Sequence, residues 1–238
     1  MEESNLVFNK LFQALYSRPY EISVLSDVID LATAANNYGC LPALSYSLNA
    51  AMLNIKDVKA WYFSINADPT LALAIAKRLR NATLYRDAMI FAVADVKKPA
   101  YLRADRDTFP FREAQNAYNR IRVAFRRFCV EFLTDSRDGR LMSNRGDIEP
   151  EDVYEHCKGL ARDNVTGGVI LPKFLRIIFE TVWHEDEWSE VLQELLACKL
   201  ALGVSHDDFN AGDGGFEGMF LCATVEDDEL PWNDAVDW

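Results

Sequence analysis

The sequence predicts an all-α fold, a multi-helix bundle of about eight or nine helices in one compact unit. Three observations predict it. Apolar residues recur three or four apart along most of the 238 residues, the period of a helix buried on one face. Prolines, glycines and short polar residues fall where such segments start or stop. No Val/Ile/Thr-rich alternating run is strong enough to claim a sheet, and residues 214–225 (GGFEGMFLCATV) read at most as an irregular strand or small β-hairpin.

The elements follow in order. Ser4 is placed to cap a first helix whose apolar positions are Val7, Phe8, Leu11, Phe12, Leu15 and Tyr16, and Pro19 stops it. Ser23 or Ser26 caps a second, with Leu25, Val28, Ile29, Ala32 and Ala35 inward and Asn36, Asn37 and Gly39 suited to a left-handed end. Pro42 opens a third, lined by Leu41, Leu44, Leu48 and Met52. Residues 55–65 form a short helix on Val58, Trp61, Tyr62 and Ile65. Asp68-Pro69 starts the next, on Leu71, Ile75, Ala76 and Leu79. Residues 83–96 turn Leu84, Ala88, Phe91 and Ala92 inward, with Lys97 and Lys98 at the negative end of the helix dipole and Pro99 as the stop.

Residues 99–110 are a connector. A long helix over 111–133 buries Ala114, Ala117, Tyr118, Ile121, Phe125, Phe128 and Phe132 and carries Arg112, Arg120, Arg122, Arg126 and Arg127 on its other side. The polar run 135–149 is a surface loop. Pro150 opens a helix with Val153, Tyr154, Cys157 and Leu160 inward, and 163–168 is a turn. Val169 to Val182 is apolar enough for a helix buried on most sides, and 186–201 repeats the pattern with Trp188, Val191, Leu192, Leu195 and Leu196. Periodicity stops at Ser205.

Residues 7–52 resemble the C-terminal half of a BTB/POZ domain of the kind abundant in filamentous fungi. Phe8, Leu11, Phe12, Leu15 and Tyr16 match its "F..L...LY" helix, and Ser17-Arg18-Pro19 its short break. Leu25, Val28, Leu31, Ala32, Ala35 and Tyr38 match "L..V..LA..A..Y"; Gly39, Leu41, Pro42, Ala43 and Leu44 match "G.PAL". Residues 68–89 look like the helical extension that often follows. The family's N-terminal half, with its strands and first helices, has no counterpart here, so its homodimer and cullin-scaffold contacts are not carried over. The resemblance implies a helical protein-interaction module.

Charge is unevenly spread. The net is −12, yet residues 184–238 hold 15 Asp/Glu against one lysine, and the other 183 residues sum to +2. Residues 97–127 are locally +6, with nine Lys/Arg and three Asp/Glu. A chain this acidic is a poor general nucleic-acid binder, because phosphate contacts need cations. No apolar run reaches the roughly 18 residues of a membrane span, and MEESNLVF lacks the basic flank and apolar stretch of a signal peptide. The five cysteines (40, 129, 157, 198 and 222) are odd in number and far apart, which fits reduced, mostly core-facing thiols inside a cell, in cytoplasm or nucleus. The sequons at Asn81 and Asn164 are then chance matches.

No catalytic, cofactor or metal constellation is expected. His156, His184 and His206 have no i, i+4 partner, and the carboxylates beside His184 point in different directions on a helix. Asp207, Asp208, Asn210 and Asp213 suggest a calcium loop, but counting from Asp208 its sixth and twelfth places hold Asp213 and Met219 instead of Gly and Glu. No nucleophile elbow or phosphate-binding glycine motif is present.

The sequence therefore divides as a truncated BTB-like helical subdomain (1–54), a helical extension ending in a basic helix (55–134), a loop (135–149), C-terminal helices (150–204) and an acidic tail (205–238). The expected function is non-enzymatic protein–protein interaction as an adaptor. Val7–Met52 serves as scaffold, and Leu230, Trp232, Val236 and Trp238 are the candidate partner anchors, unless the two tryptophans simply pack on the protein's own surface. The alternative is nucleic-acid association through Arg120, Arg122, Arg126 and Arg127. A further possibility is that the acidic segment folds back on the basic helix.

Overall fold

A computed structural model of the chain describes residues 2–104, 110–137, 150–164, 167–181, 187–203 and 209–232, with the backbone alone for 2–4, 133–137, 150–154 and 187. Among these residues the chain is all-α: ten α-helices, with short 3-10 turns at Ala100–Arg103, Gly214–Phe216 and Asp227–Glu229. No strand forms in the described residues. The hairpin allowed at 214–225 is instead a 3-10 turn followed by irregular chain, and Met219 makes a lone antiparallel bridge with Asp95. No described helix is long and apolar enough to cross a membrane. Contacts cluster into two compact units where the sequence suggested one. The first comprises Met1–Ala92, Ala100–Glu113 and Val225–Trp238; the second comprises Val93–Pro99 and Ala114–Thr224.

The first unit is built on α1 (Glu2–Leu15), α2 (Leu25–Asn37), α3 (Leu41–Met52), α4 (Val58–Ala67), α5 (Pro69–Arg78) and most of α6 (Ala82–Val93). α1 packs on α2 and α3, and α2 also meets α4 and α5. Leu31, Leu44, Leu48, Trp61, Tyr62, Ile65 and Tyr85 are fully buried. Each such side chain contributes about 1.5–3 kcal/mol relative to exposure.

The caps explain the boundaries. α1 begins at Glu2, ahead of the expected Ser4 cap. At α2 neither serine caps; the Asp27 carboxylate accepts the backbone N–H groups of Ser23 (2.8 Å) and Val24 (3.4 Å), and the Lys10 ammonium at 3.0 Å. The end of α2 closes as the sequence predicts, with Gly39 at φ +65° and Cys40 N–H donating to the Ala35 carbonyl. Asp57 and Asp68 cap α4 and α5 by accepting from Ala60 and Leu71. Asn81 is 2% exposed; its Oδ1 accepts from Leu84 N–H (2.8 Å) and its Nδ2 donates to Asn49 Oδ1 (2.8 Å), joining α6 to α3. Its sequon nitrogen is thus committed to the fold. α6 stops before the lysines assigned to its end, because Asp95 accepts the backbone N–H groups of Lys97 and Lys98 in a turn.

The second unit contains α7 (Phe111–Arg137) from Ala114 onward, α8 (Pro150–Leu160), α9 (Leu171–Thr181) and α10 (Glu187–Leu196). α7 runs through residues 135–137, which are expected to open a surface loop; residues 138–149 of that expectation lie outside the described residues. Trp188 of α10 receives the rings of Phe128 (6.1 Å) and Phe132 (5.4 Å) edge-on. α9 is amphipathic and not buried all round: Pro172, Leu175 and Ile178 are buried, while Phe174 and Phe179 are only half covered. Leu160, expected inward, is 54% exposed. Much of the stretch read as an acidic tail is core: Phe209, Ala211, Phe216, Phe220, Leu221 and Ala223 are buried. Arg176 of α9 fastens this stretch by donating to the carbonyls of Ala211 (3.1 Å) and Leu196 (3.2 Å).

Candidate functional site

Three surfaces present chemistry. The first is the C-terminal segment. In the first unit Trp232 lies half-buried with its ring edge-on to Tyr85, centroids 5.5 Å apart at 84°. Arg86, next on α6, donates from Nε to the Val225 carbonyl at 3.0 Å and pairs with Asp227. The Tyr85 hydroxyl is buried with no hydrogen-bond partner among the described residues, and burial, followed by the nearby charges of Glu113 and Glu229, holds its pKa well above the usual tyrosine range. Leu230 is half-buried, while Val236 and Trp238 lie outside the described residues. Trp232 thus packs on its own unit.

The second surface is the basic side of α7. Arg120 donates to the Thr224 carbonyl at 2.9 Å, and Arg127 pairs with Glu131 one turn on at 2.8 Å. Arg122 lies 5.8 Å above the Tyr118 ring, and Arg126 is exposed. Asn116, Asn119, Arg120, Val123, Arg127 and, from α10, Glu194 line an open groove of about 510 Å³. Its mixed charge suits no single polyanion. The C-terminal segment reaches this side of α7 at the Thr224 carbonyl, a backbone contact that does not test the expected charge neutralisation.

The third surface is on α1, inside the segment assigned to scaffold. Leu11 and Ala14 are buried and Val7 is half-buried, but Phe8, Phe12, Leu15 and Tyr16 are 37%, 57%, 40% and 73% exposed. The two sets are displaced by one residue, about 100° around the helix. Tyr38, 63% exposed, sets its ring edge against Phe8 at 5.4 Å. A shallow groove of about 320 Å³ runs beside them, lined by Asn9, Phe12, Gln13, Tyr16 and Arg18. The signal was present in the sequence. Six apolar residues at positions 7, 8, 11, 12, 15 and 16 make a stripe too wide for one buried face, and Ala14 marks the side where another helix approaches closely.

Among the described residues no group of three or more His, Cys, Asp or Glu is placed to hold a metal ion. His156 is exposed on α8; His184, His206, Asp207 and Asp208 lie outside the described residues. All five cysteines are free thiols, with Cys157 buried and the others half-buried. No family model, curated protein or solved structure matches this chain.

Proposed function

We propose that this chain is a non-enzymatic protein–protein interaction module, a BTB-like adaptor working in the cytoplasm or nucleus. The observation that carries the reading is the outer face of α1. Phe8, Phe12, Leu15, Tyr16 and Tyr38 form one contiguous apolar surface open to water. An exposed patch of this kind, rimmed by polar residues such as Asn9 and Arg18, marks an interaction surface. The resemblance of residues 7–52 to the helical half of a BTB domain supports the same reading. So does Trp232, which is occupied against Tyr85 and leaves α1 as the better docking element.

A photocrosslinking residue at Tyr16 tests this in cells. A protein adduct that disappears with Phe12→Asp is the expected result; absence of any adduct removes the reading. The competing assignment, nucleic-acid association through Arg120, Arg122, Arg126 and Arg127, is weakened because Arg120 and Arg127 already bond Thr224 and Glu131. Low-salt RNA or DNA binding that weakens steeply with added salt would revive it.

A further inference from the structure

We infer that the outer face of α1 seats a second copy of this chain, with the two α1 helices packed antiparallel about a two-fold axis midway between Phe8 and Phe12. This rests on the interaction reading above and names the occupant.

Spacing is the first argument. Asn5, Phe8, Phe12 and Leu15 follow one another at intervals of three, four and three residues along the exposed side of α1. That alternation is the seam of a helix that packs lengthwise on another helix. α1 carries two such seams. Val7, Leu11 and Ala14 form the one turned toward α2 and α3, and the other is turned to solvent. The open seam therefore calls for a helix, and Asn5 supplies the polar seam position that fixes register and partner number in such pairs.

Charge is the second argument. The chain is 26% charged with a net charge of −12, yet Asn5, Phe8, Asn9, Phe12, Leu15 and Tyr16 include no charged residue. A partner recognised by opposite charge meets Arg18 at the rim but no charge on the face itself. The same uncharged face on a second copy fits without placing like charges in contact, which two molecules of −12 require. The orientation follows from the helix dipoles, which only the antiparallel arrangement of two α1 helices opposes. A two-fold contact of this kind closes on itself and stops at two.

Area is the third argument. With about 200 Å² per aromatic side chain, the open fractions of Phe8, Phe12, Tyr16 and Tyr38 leave about 450 Å² of aromatic surface per copy. Adding Leu15 and counting both copies gives about 1,000 Å², the lower limit of a specific interface. That size fits a dimer in exchange with monomer at micromolar concentration.

The test is the solution mass of the purified full chain by sedimentation over a concentration series. The wild type should approach twice the 27.0 kDa of the chain at micromolar concentration. Phe12→Asp should run at 27.0 kDa with an unchanged far-UV circular dichroism spectrum. Tyr16→Glu, at a position 73% exposed, serves if the first variant misfolds. Val130→Asp, on the exposed side of α7, should leave the mass as in the wild type. In the purified dimer a photocrosslinker at position 16 should reach residues 2–6 of the other copy; adducts at residues 15–18 overturn the antiparallel arrangement. A wild type that stays at 27.0 kDa throughout, or a Phe12→Asp chain that still dimerises, overturns the inference. A purified monomer whose position-16 probe still labels another protein in cells overturns the second copy alone. No adduct in either setting removes the interaction reading with it.

Discussion

Replacing Gly212 by alanine separates two effects that glycine positions usually mix. Gly212 sits at φ +81°, where a side chain is strained, and a Cβ there would lie 2.3 Å from the Pro172 carbonyl oxygen and 2.6 Å from its carbon. Neither side yields readily. Pro172 is buried in the first turn of α9, and Arg176 on the same helix binds the carbonyl of Ala211, the residue before Gly212. The backbone strain alone is about 1–2 kcal/mol. Moving packed backbone apart adds about 1–3 kcal/mol, so Gly212→Ala should destabilise the second unit by about 3 kcal/mol. Gly214 is the internal control: φ is +51° but nothing lies within 4 Å of its Cβ position, so Gly214→Ala carries the strain without the overlap. With a urea slope of about 1.5 kcal/mol per molar, the midpoint should fall by about 2 M for Gly212→Ala and by about 1 M for Gly214→Ala. Unfolding followed by circular dichroism and tryptophan fluorescence, at matched slopes, reads the difference. Equal midpoints for the two variants would refute the close approach of residue 212 to α9.

Three other outcomes follow from polar groups wholly or partly buried. Asn81→Ala removes the α6 cap and leaves Asn49 without the Nδ2 donor, so the melting curve should register a loss of about 1–2 kcal/mol. Burial pushes the Asp27 carboxyl upward, but the backbone of Ser23, the Lys10 ammonium and the backbone of Val24 outweigh it and hold the pKa below the ordinary value of 3.8. The folded pKa is the lower one, so this contribution is complete above the usual carboxylate range and is lost as pH falls through it; Asp27→Asn should lower the melting temperature near neutrality and flatten its fall in acid. Desolvation pushes the Cys222 thiol up to about 12, so iodoacetamide should leave Cys222 unmodified at mildly alkaline pH until urea opens the unit, with peptide mapping as the readout.

The helical period carried most of the fold, because it reports which side of a helix is covered. It located α2 to α6, α8 and α10 within a few residues, and Gly39, Pro42 and Asp68-Pro69 marked ends that the backbone uses. Its failures share a cause: the missing information lay in distant residues. Asp27 displaced two serines as the α2 cap because Lys10, 17 positions away, neutralises it. Residues 209–225 have no period, yet they are core because Arg176 and Pro172 hold an irregular chain against α9. The α1 surface was written in the sequence as an over-wide apolar stripe, but which half faces water depends on where α2 and α3 lie. The sequence leaves Trp232 open between a partner anchor and packing on the protein's own surface, because nothing local indicates that Tyr85, 147 residues earlier, receives its ring.

The order in which the ribosome delivers these parts bears on how the protein matures. The first unit is assembled from Met1–Ala92, Ala100–Glu113 and Val225–Trp238, so its last piece emerges after about 110 intervening residues. At about 5–20 residues per second, that is a delay of roughly 5–20 seconds. Throughout it Tyr85 and Arg86 have neither Trp232 nor Asp227, and the nascent chain shows chaperones an unfinished aromatic face. A stop codon anywhere before position 225 thus damages both units at once, and neither can be excised as one uninterrupted stretch of gene.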